Sequence, residues 1–225
     1  MKECPAIIAA LPREVSVLVK GWDVEQLPGN VLVYTNGHAV AACAGMGAAR
    51  AVLAVQAAMA TMPVTALISV GVAGACNPSL HVGDIVRAGV VIDGQTGERF
   101  DNSQFRQVLV TTEAIASVRE KSRLHASYHA DAVDMEAATV ARLARAHDLY
   151  FQAIKAVSDE ADFEVESLSR FATSDGQFRE AAFALHAALR PPMWSKLIAL
   201  ARNSNKALAS LTAVLNTELD WYRSR

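Results

Sequence analysis

The sequence is poor in aromatic residues, in cysteine and in net charge. Of its 225 residues 6% are aromatic and 20% charged, and the charges nearly cancel to a formal −2. So even a balance makes no electrostatic case for nucleic acid or an anionic membrane as partner. Cys4, Cys43 and Cys76 form no C-x-x-C pair and have no histidines at ligand spacing. That argues against a disulfide framework or a zinc ribbon and for a reducing, cytoplasmic setting. Long apolar runs are also missing. The run at 6–11 is cut off by Pro12, Arg13 and Glu14, too short for a signal-peptide core. The stretch 51–80 carries no formal charge, but Pro63 breaks it and Gln56, Gly71, Gly74, Asn77 and Pro78 interrupt it. Apolar residues still make up 52%, which excludes intrinsic disorder. The length suits one core and one domain over residues 1–225.

The short apolar runs are β-rich and separated by helical patterns. Residues 6–11 read as a buried strand leading into a short helix from Glu14. Residues 31–35 and 38–44 flank Asn36-Gly37, a two-residue hairpin signal. Alanine content predicts a helix over 48–61, ended by Met62-Pro63. Strands are predicted at 64–70, 84–92, 107–111 and 150–157, with a glycine-containing loop over 71–83. An amphipathic helix is predicted over 136–147, and two more helices at 175–189 and 193–217, split by Pro191-Pro192. Alternating strands and helices point to an α/β fold, a three-layer αβα sandwich around a central mixed sheet. Ligands of such folds gather beyond the carboxyl ends of the strands, here the loops 12–14, 71–77 and 158–162.

Several motifs have an ordinary structural explanation. Gly45-Met46-Gly47 lacks the third glycine of a dinucleotide fingerprint, since Arg50 stands there, and no Asp or Glu follows Glu25 before Asp84. A tight turn near a small ligand fits it better. His125 and His129, with Asp131 nearby, lie in a polar stretch without a third ligand at fixed spacing, so a solvated surface is expected rather than a metal site. Arg13, Arg50 and Arg87 are read as solvated or ion-paired rather than as phosphate binders. More informative are acids in apolar contexts. Glu14 follows the first strand, Glu136 opens a helix, and Asp159 ends the last apolar strand. Each alone fits a capping role. Together, at the strand ends of one sheet, they predict a pocket of carboxylates with environment-tuned acidity.

Five segments in order resemble the nucleoside phosphorylase/nucleosidase superfamily, most closely its methylthioadenosine/S-adenosylhomocysteine nucleosidase-like branch. They are Ile7-Ile8-Ala9-Ala10-Leu11-Pro12-Arg13-Glu14-Val15, Ala44-Gly45-Met46-Gly47, Ser69-Val70-Gly71-Val72-Ala73-Gly74 with Leu80-His81-Val82-Gly83-Asp84-Ile85-Val86, Val133-Asp134-Met135-Glu136-Ala137, and Lys155-Ala156-Val157-Ser158-Asp159-Glu160-Ala161-Asp162. The resemblance implies cleavage of a purine–ribose N-glycosidic bond, with a small-molecule nucleoside as partner and neither metal nor organic cofactor. It implies that Asp159 donates a proton toward N7, that Glu136 binds the ribose hydroxyls with Met135 against the sugar, and that Glu14 activates water. Gly47, Gly71, Val72 and Ser158 fall in the matching substrate loops.

Phosphorolytic relatives carry two arginines and a serine where this chain has Glu14, Ser69 and Val72, so hydrolysis is expected over phosphorolysis. The segment 93–131 is shorter than in the resembled enzymes, and Ile115 is the expected base-facing wall. Thr96 to Phe100 and the long C-terminal helix are similar to the hopanoid-associated nucleosidase group, which implies a bulky apolar 5′ group lined by Met46 and Phe163. The family's habit implies a homodimer. Two other readings are a non-catalytic nucleoside-binding protein of the same fold, which would not need both Asp159 and Glu136, and membrane association through the amphipathic pattern at 193–217. Packing of that helix on the sheet is the preferred reading.

Overall fold

The computed structural model describes residues 3–102, 104–164 and 194–224. Ten strands form one mixed sheet: β1 (Pro5–Ala9), β2 (Asp23–Leu27), β3 (Val31–Thr35), β4 (Val40–Cys43), β5 (Ala66–Ala75), β6 (Ile85–Asp93), β7 (Arg99–Asp101), β8 (Gln107–Thr111), β9 (Ala132–Asp134) and β10 (Tyr150–Asp159). Among the described residues four helices accompany them: α1 (Ala48–Thr61), α2 (Val118–Tyr128), α3 (Ala137–Ala146) and α4 (Trp194–Arg223). A 3-10 turn, Pro12–Glu14, follows β1.

Strand alternation decides which helix covers which face. Ile7 and Ala9 of β1 join Ile68 and Val70 of β5 and Ile154 and Ala156 of β10 in a core closed by Ala207, Leu211, Leu215, Leu219 and Tyr222 of α4. Ala6 and Ile8, one residue out of step, point the other way and pack with Leu67 on α1 and α3. Helices therefore cover both faces of the sheet. The apolar stripe of α4 recurs every three or four residues, as an α-helix requires to bury one side. Its placement against the sheet is the packing expected from the sequence, and among the described residues no helix is long and apolar enough to cross a membrane.

Half of the sheet is an ordinary open run, β5–β1–β4–β3–β2. The other half closes on itself: β5 pairs with β10, β10 with β6, β6 with β8, β8 with β9, and β9 again with β5. The parallel strands β1, β5 and β10 end at the same rim. That rim carries the loops after β1 and β10, and the residues following β9 come up beside it.

The structure departs from the sequence reading in several places. β5 runs on through Gly71 and Gly74 to Ala75, where a loop is predicted from 71. The reason is pairing: β10 binds it from Ala66 to Gly74. The strands β2, β7 and β9 and the helix α2 are additions. β2 is a solvent-exposed edge, β7 and β9 are three residues each, and α2 buries only Lys121 and Leu124, so none offers a periodic apolar signal. A hairpin forms where one is expected, but Thr35 pairs with Val40, so residues 36–39 make the connection rather than Asn36-Gly37 alone; Asn36 Oδ1 accepts from the amides of His38 and Ala39 and so draws both into the turn. The predicted helix at 175–189 lies outside the described residues.

Candidate functional site

A cavity of about 370 Å³ opens at the shared rim of β1, β5 and β10. Its wall includes all three acids singled out in the sequence: Glu14, Glu136 and Asp159. Each arrives from a different element, and each is fixed by contacts along its own path.

Glu14 is 5% exposed and sits on the 3-10 turn that Pro12 begins. Its Oε2 accepts from the backbone amides of Ala10 and Leu11, both at 2.9 Å, and its Oε1 from that of Val72 at 3.3 Å. Three amides aimed at one carboxyl hold it in a single orientation. The close approach needs Gly71, which has a φ of +131°; a Cβ there would stand 2.8 Å from Glu14 Oε1. Gly74 does the same for Asp159, since a Cβ would meet Asp159 Oδ2 at 2.9 Å and Lys121 Cε at 3.0 Å. Two glycines on β5 thus make room for two carboxylates.

Asp159 ends β10 and is 7% exposed. Ser158 Oγ donates to its Oδ1 at 2.7 Å, and Lys121 Nζ forms an ion pair with Oδ2. Glu136 is the N-cap residue of α3, and its Oε1 accepts from the amide of Gly47 at 2.7 Å. Burial, with the charge of Asp134 adding and Lys155 opposing, pushes the Glu136 carboxyl up to about 7.

Two lysines are the largest of the fully buried side chains; Lys121 lines the cavity and Lys155 lies outside its lining. Lys155 lies in the middle of β10 and pairs with Asp134 at 2.9 Å, while also donating to the Val70 carbonyl at 3.0 Å. Burial works against its charge, yet Asp134, Glu136 and Glu14 together outweigh that and raise its pKa. Asp134 is saturated: Thr111 Oγ1 donates to it at 2.7 Å and the Ala137 amide at 3.0 Å. This network anchors the first turn of α3 and so sets where Glu136 points. Sequence reasoning missed both lysines. Lys155 had a signal, a lone charge inside the apolar run Ala153 to Val157. Lys121 had none, because it sits in the polar run Arg119 to Arg123 of α2.

Of the other predicted site residues, Met46, Val72, Ile115, Met135 and Ser158 line the cavity. Gly47 and Gly71 lie behind it and act through Glu136 and Glu14. Phe163 is not among the lining residues; its backbone carbonyl, 3.3 Å from Lys121 Nζ, is its contact with the site. Ala201, Ser204, Asn205 and Leu208 of α4 close the opposite wall, and Arg13 stands exposed beside Glu14.

The remaining charged motifs lie elsewhere. Arg87 pairs with Glu218 at 2.8 Å, and Arg50 donates to the carbonyls of Ala44 and Gly29. His125 sits on α2, but His129 is its left-handed C-terminal residue at φ 53°, so the two do not share a helix face. No cluster of three metal-ligating side chains occurs among the described residues. The cavity therefore presents carboxylates, a serine hydroxyl and apolar side chains to whatever small molecule enters it.

Comparison with known proteins adds the following. A family model described as the phosphorylase superfamily matches residues 6–113 and 96–190. No curated protein matches the chain by sequence. Among solved structures, the chain is similar to Helicobacter pylori 5′-methylthioadenosine/S-adenosyl homocysteine nucleosidase, with a TM-score of 0.71 and 16% identity over 97% of this chain and 98% of that one. It is equally similar to the futalosine hydrolase of Helicobacter pylori, at 0.71 and 16% over 98% of both chains. The S-adenosylhomocysteine nucleosidase of Streptococcus pyogenes matches at 0.62 and 20%, over 72% of this chain and 86% of that one.

Proposed function

The chain belongs to the phosphorylase superfamily, and from that premise we propose that it hydrolyses the N-glycosidic bond of a purine nucleoside, a 5′-substituted adenosine, releasing adenine. The observation that carries this reading is the convergence of Glu14, Glu136 and Asp159 on one cavity. Its structural neighbours, two nucleosidases and a futalosine hydrolase, support it.

The three acids suit this chemistry. Cleaving C1′–N9 leaves positive charge on the sugar and negative charge on the base, so an acid is needed on one side and a carboxylate on the other. Asp159, at the end of β10, gives the base its proton. Glu136 accepts hydrogen bonds from the ribose hydroxyls, with Met135 against the sugar. Glu14, which its three amides keep from turning, takes a proton from the attacking water. Met46 and the α4 residues form the wall toward the 5′ group, and Ile115 that toward the base. No step calls for a metal or organic cofactor.

Phosphorolysis is the second reading, and Arg13 is what favours it, as an exposed cation on the cavity wall. The other cation there, Lys121, is committed to Asp159, which leaves a dianionic phosphate poorly matched. Base release from a panel of 5′-substituted adenosines, in phosphate-free buffer and with added phosphate, separates the two. Equal rates of adenine release are expected with and without phosphate, and dependence on phosphate would overturn hydrolysis. Asp159→Asn should slow release by about 10²–10⁴-fold, the usual worth of a general acid, while nucleoside binding persists.

A further inference from the structure

The lysine against Asp159 plays no part in the reaction outlined above, yet its setting is specific. Lys121 is 1% exposed, and its nitrogen has three acceptors: Asp159 Oδ2, the Glu160 carbonyl at 2.9 Å and the Phe163 carbonyl at 3.3 Å. An ammonium is buried in this way only when fully partnered. Gly74 leaves the space for the pair, since a Cβ there would meet both of its members. Lys121 also lines the cavity itself.

This arrangement bears on the source of the proton. In an ion pair the proton lies on nitrogen, whereas a general acid must present it from oxygen. Asp159 receives Lys121 on one oxygen and Ser158 on the other, so as a carboxylate it is already satisfied. The one neighbouring thiol does not compete. Burial pushes Cys76 up to about 12, against the pull of Lys121 and with Asp159, Asp131 and Glu120 adding to the rise. Facing the pair are thus the backbone carbonyls of Glu160 and Phe163 after β10, the neutral Cys76 after β5, and more distantly Asp131 and Glu120.

Building on the nucleosidase reading, we infer that Lys121 is the proton reservoir of the site, supplying through Asp159 the proton that the departing base takes up. As C1′–N9 breaks, its electron pair passes into the purine, and N7 takes a proton from Asp159 while Asp159 takes one from Lys121 Nζ. Asp159 ends as the carboxylate it was, and Lys121 as a neutral amine. Water adds to C1′ and gives its proton to Glu14. Glu14 then releases its proton to solvent and Lys121 takes one up from solvent before the next turnover, so the site returns to its starting state and the sum is one water consumed. Lys121 is a positioning residue that acts through Asp159. Lysine suits the task because its nitrogen gives up a proton when buried, which arginine does not.

The test is the pH–rate profile of adenine release by wild type, Lys121→Met and Lys121→Arg, each checked for folding by thermal melting. A lone aspartate loses its proton at far lower pH than an ammonium does. The alkaline limb of Lys121→Met should therefore move at least one pH unit toward acid, with the acidic plateau within about tenfold of wild type. Lys121→Arg keeps the charge and the pairing but cannot release a proton, so kcat should fall about 100-fold at every pH with KM little changed. A uniform drop in Lys121→Met with an unmoved limb, or near-normal kcat in Lys121→Arg, would make the lysine merely structural and overturn the inference. Failure of wild type to release base at any pH removes the nucleosidase reading itself, and this role with it.

Discussion

At the scale of single residues, the site is governed by what holds each carboxyl. The fold raises the pKa of the Glu136 carboxyl, which burial pushes up to about 7. Because its folded-state pKa is raised, the folded protein holds this proton more tightly than the unfolded chain. The group's contribution to stability is therefore present below the ordinary glutamate range and is lost as pH rises toward 7. In the role proposed for Glu136, by contrast, ribose hydroxyls donate best to its ionised form. Nucleoside affinity should accordingly strengthen as pH climbs through about 7, and Glu136→Gln should abolish that climb and weaken binding about 10–100-fold, the worth of a charged hydrogen bond. Titration of binding between pH 5.5 and 8.5 checks both. Gly74 belongs to the same scale. Its replacement by alanine drives a methyl into Asp159 and Lys121, and a loss of at least tenfold in kcat is expected; unchanged turnover would mean that the pair has slack.

Among the secondary-structure elements, legibility from sequence divides by burial. The helix α1 appears at the bounds its alanine run predicts, and β10 at those of its apolar run plus two residues. Asp159 and Glu136 were readable because, with Glu14, they stand at the ends of apolar elements that one sheet brings to a common rim, although each alone has a capping explanation. Lys121 was not, since Arg119, Glu120 and Arg123 surround it in sequence and only the tertiary fold turns it inward. The strands β7 and β9 are too short to show a period, and their pairing rests on partners found far along the chain. The helix α4 illustrates the opposite case, with Leu211 and Leu215 buried at 0% and 1% in the core over β5 and β10. Leu211→Ala should cost about 2–5 kcal/mol, read as a lower denaturation midpoint with an unchanged m-value.

At the scale of the whole molecule, the ring formed by β5, β10, β6, β8 and β9 ties the rim of the site to long-range pairings. Asp159, Asp134 and Gly74 all stand on strands of that ring, so the distances between them can change only if the ring opens. Hydrogen exchange should show this: amides of β5 and β10, flanked by partners on both sides, should exchange at the rate of global unfolding, and those of β2 orders of magnitude faster. Uniform protection across the sheet would contradict it.

Ring closure also leaves little sheet edge for another chain to use. Among the described residues the unpaired borders are the outer side of β2 and the three-residue β7. The first is exposed along nearly its whole length and carries Asp23 and Glu25; the second carries Asp101. Two copies approaching strand to strand along β2 would bring like charges together, a common defence against runaway stacking. Self-association would thus be steered away from the backbone ladder and toward side-chain surfaces, where it can stop at a closed pair.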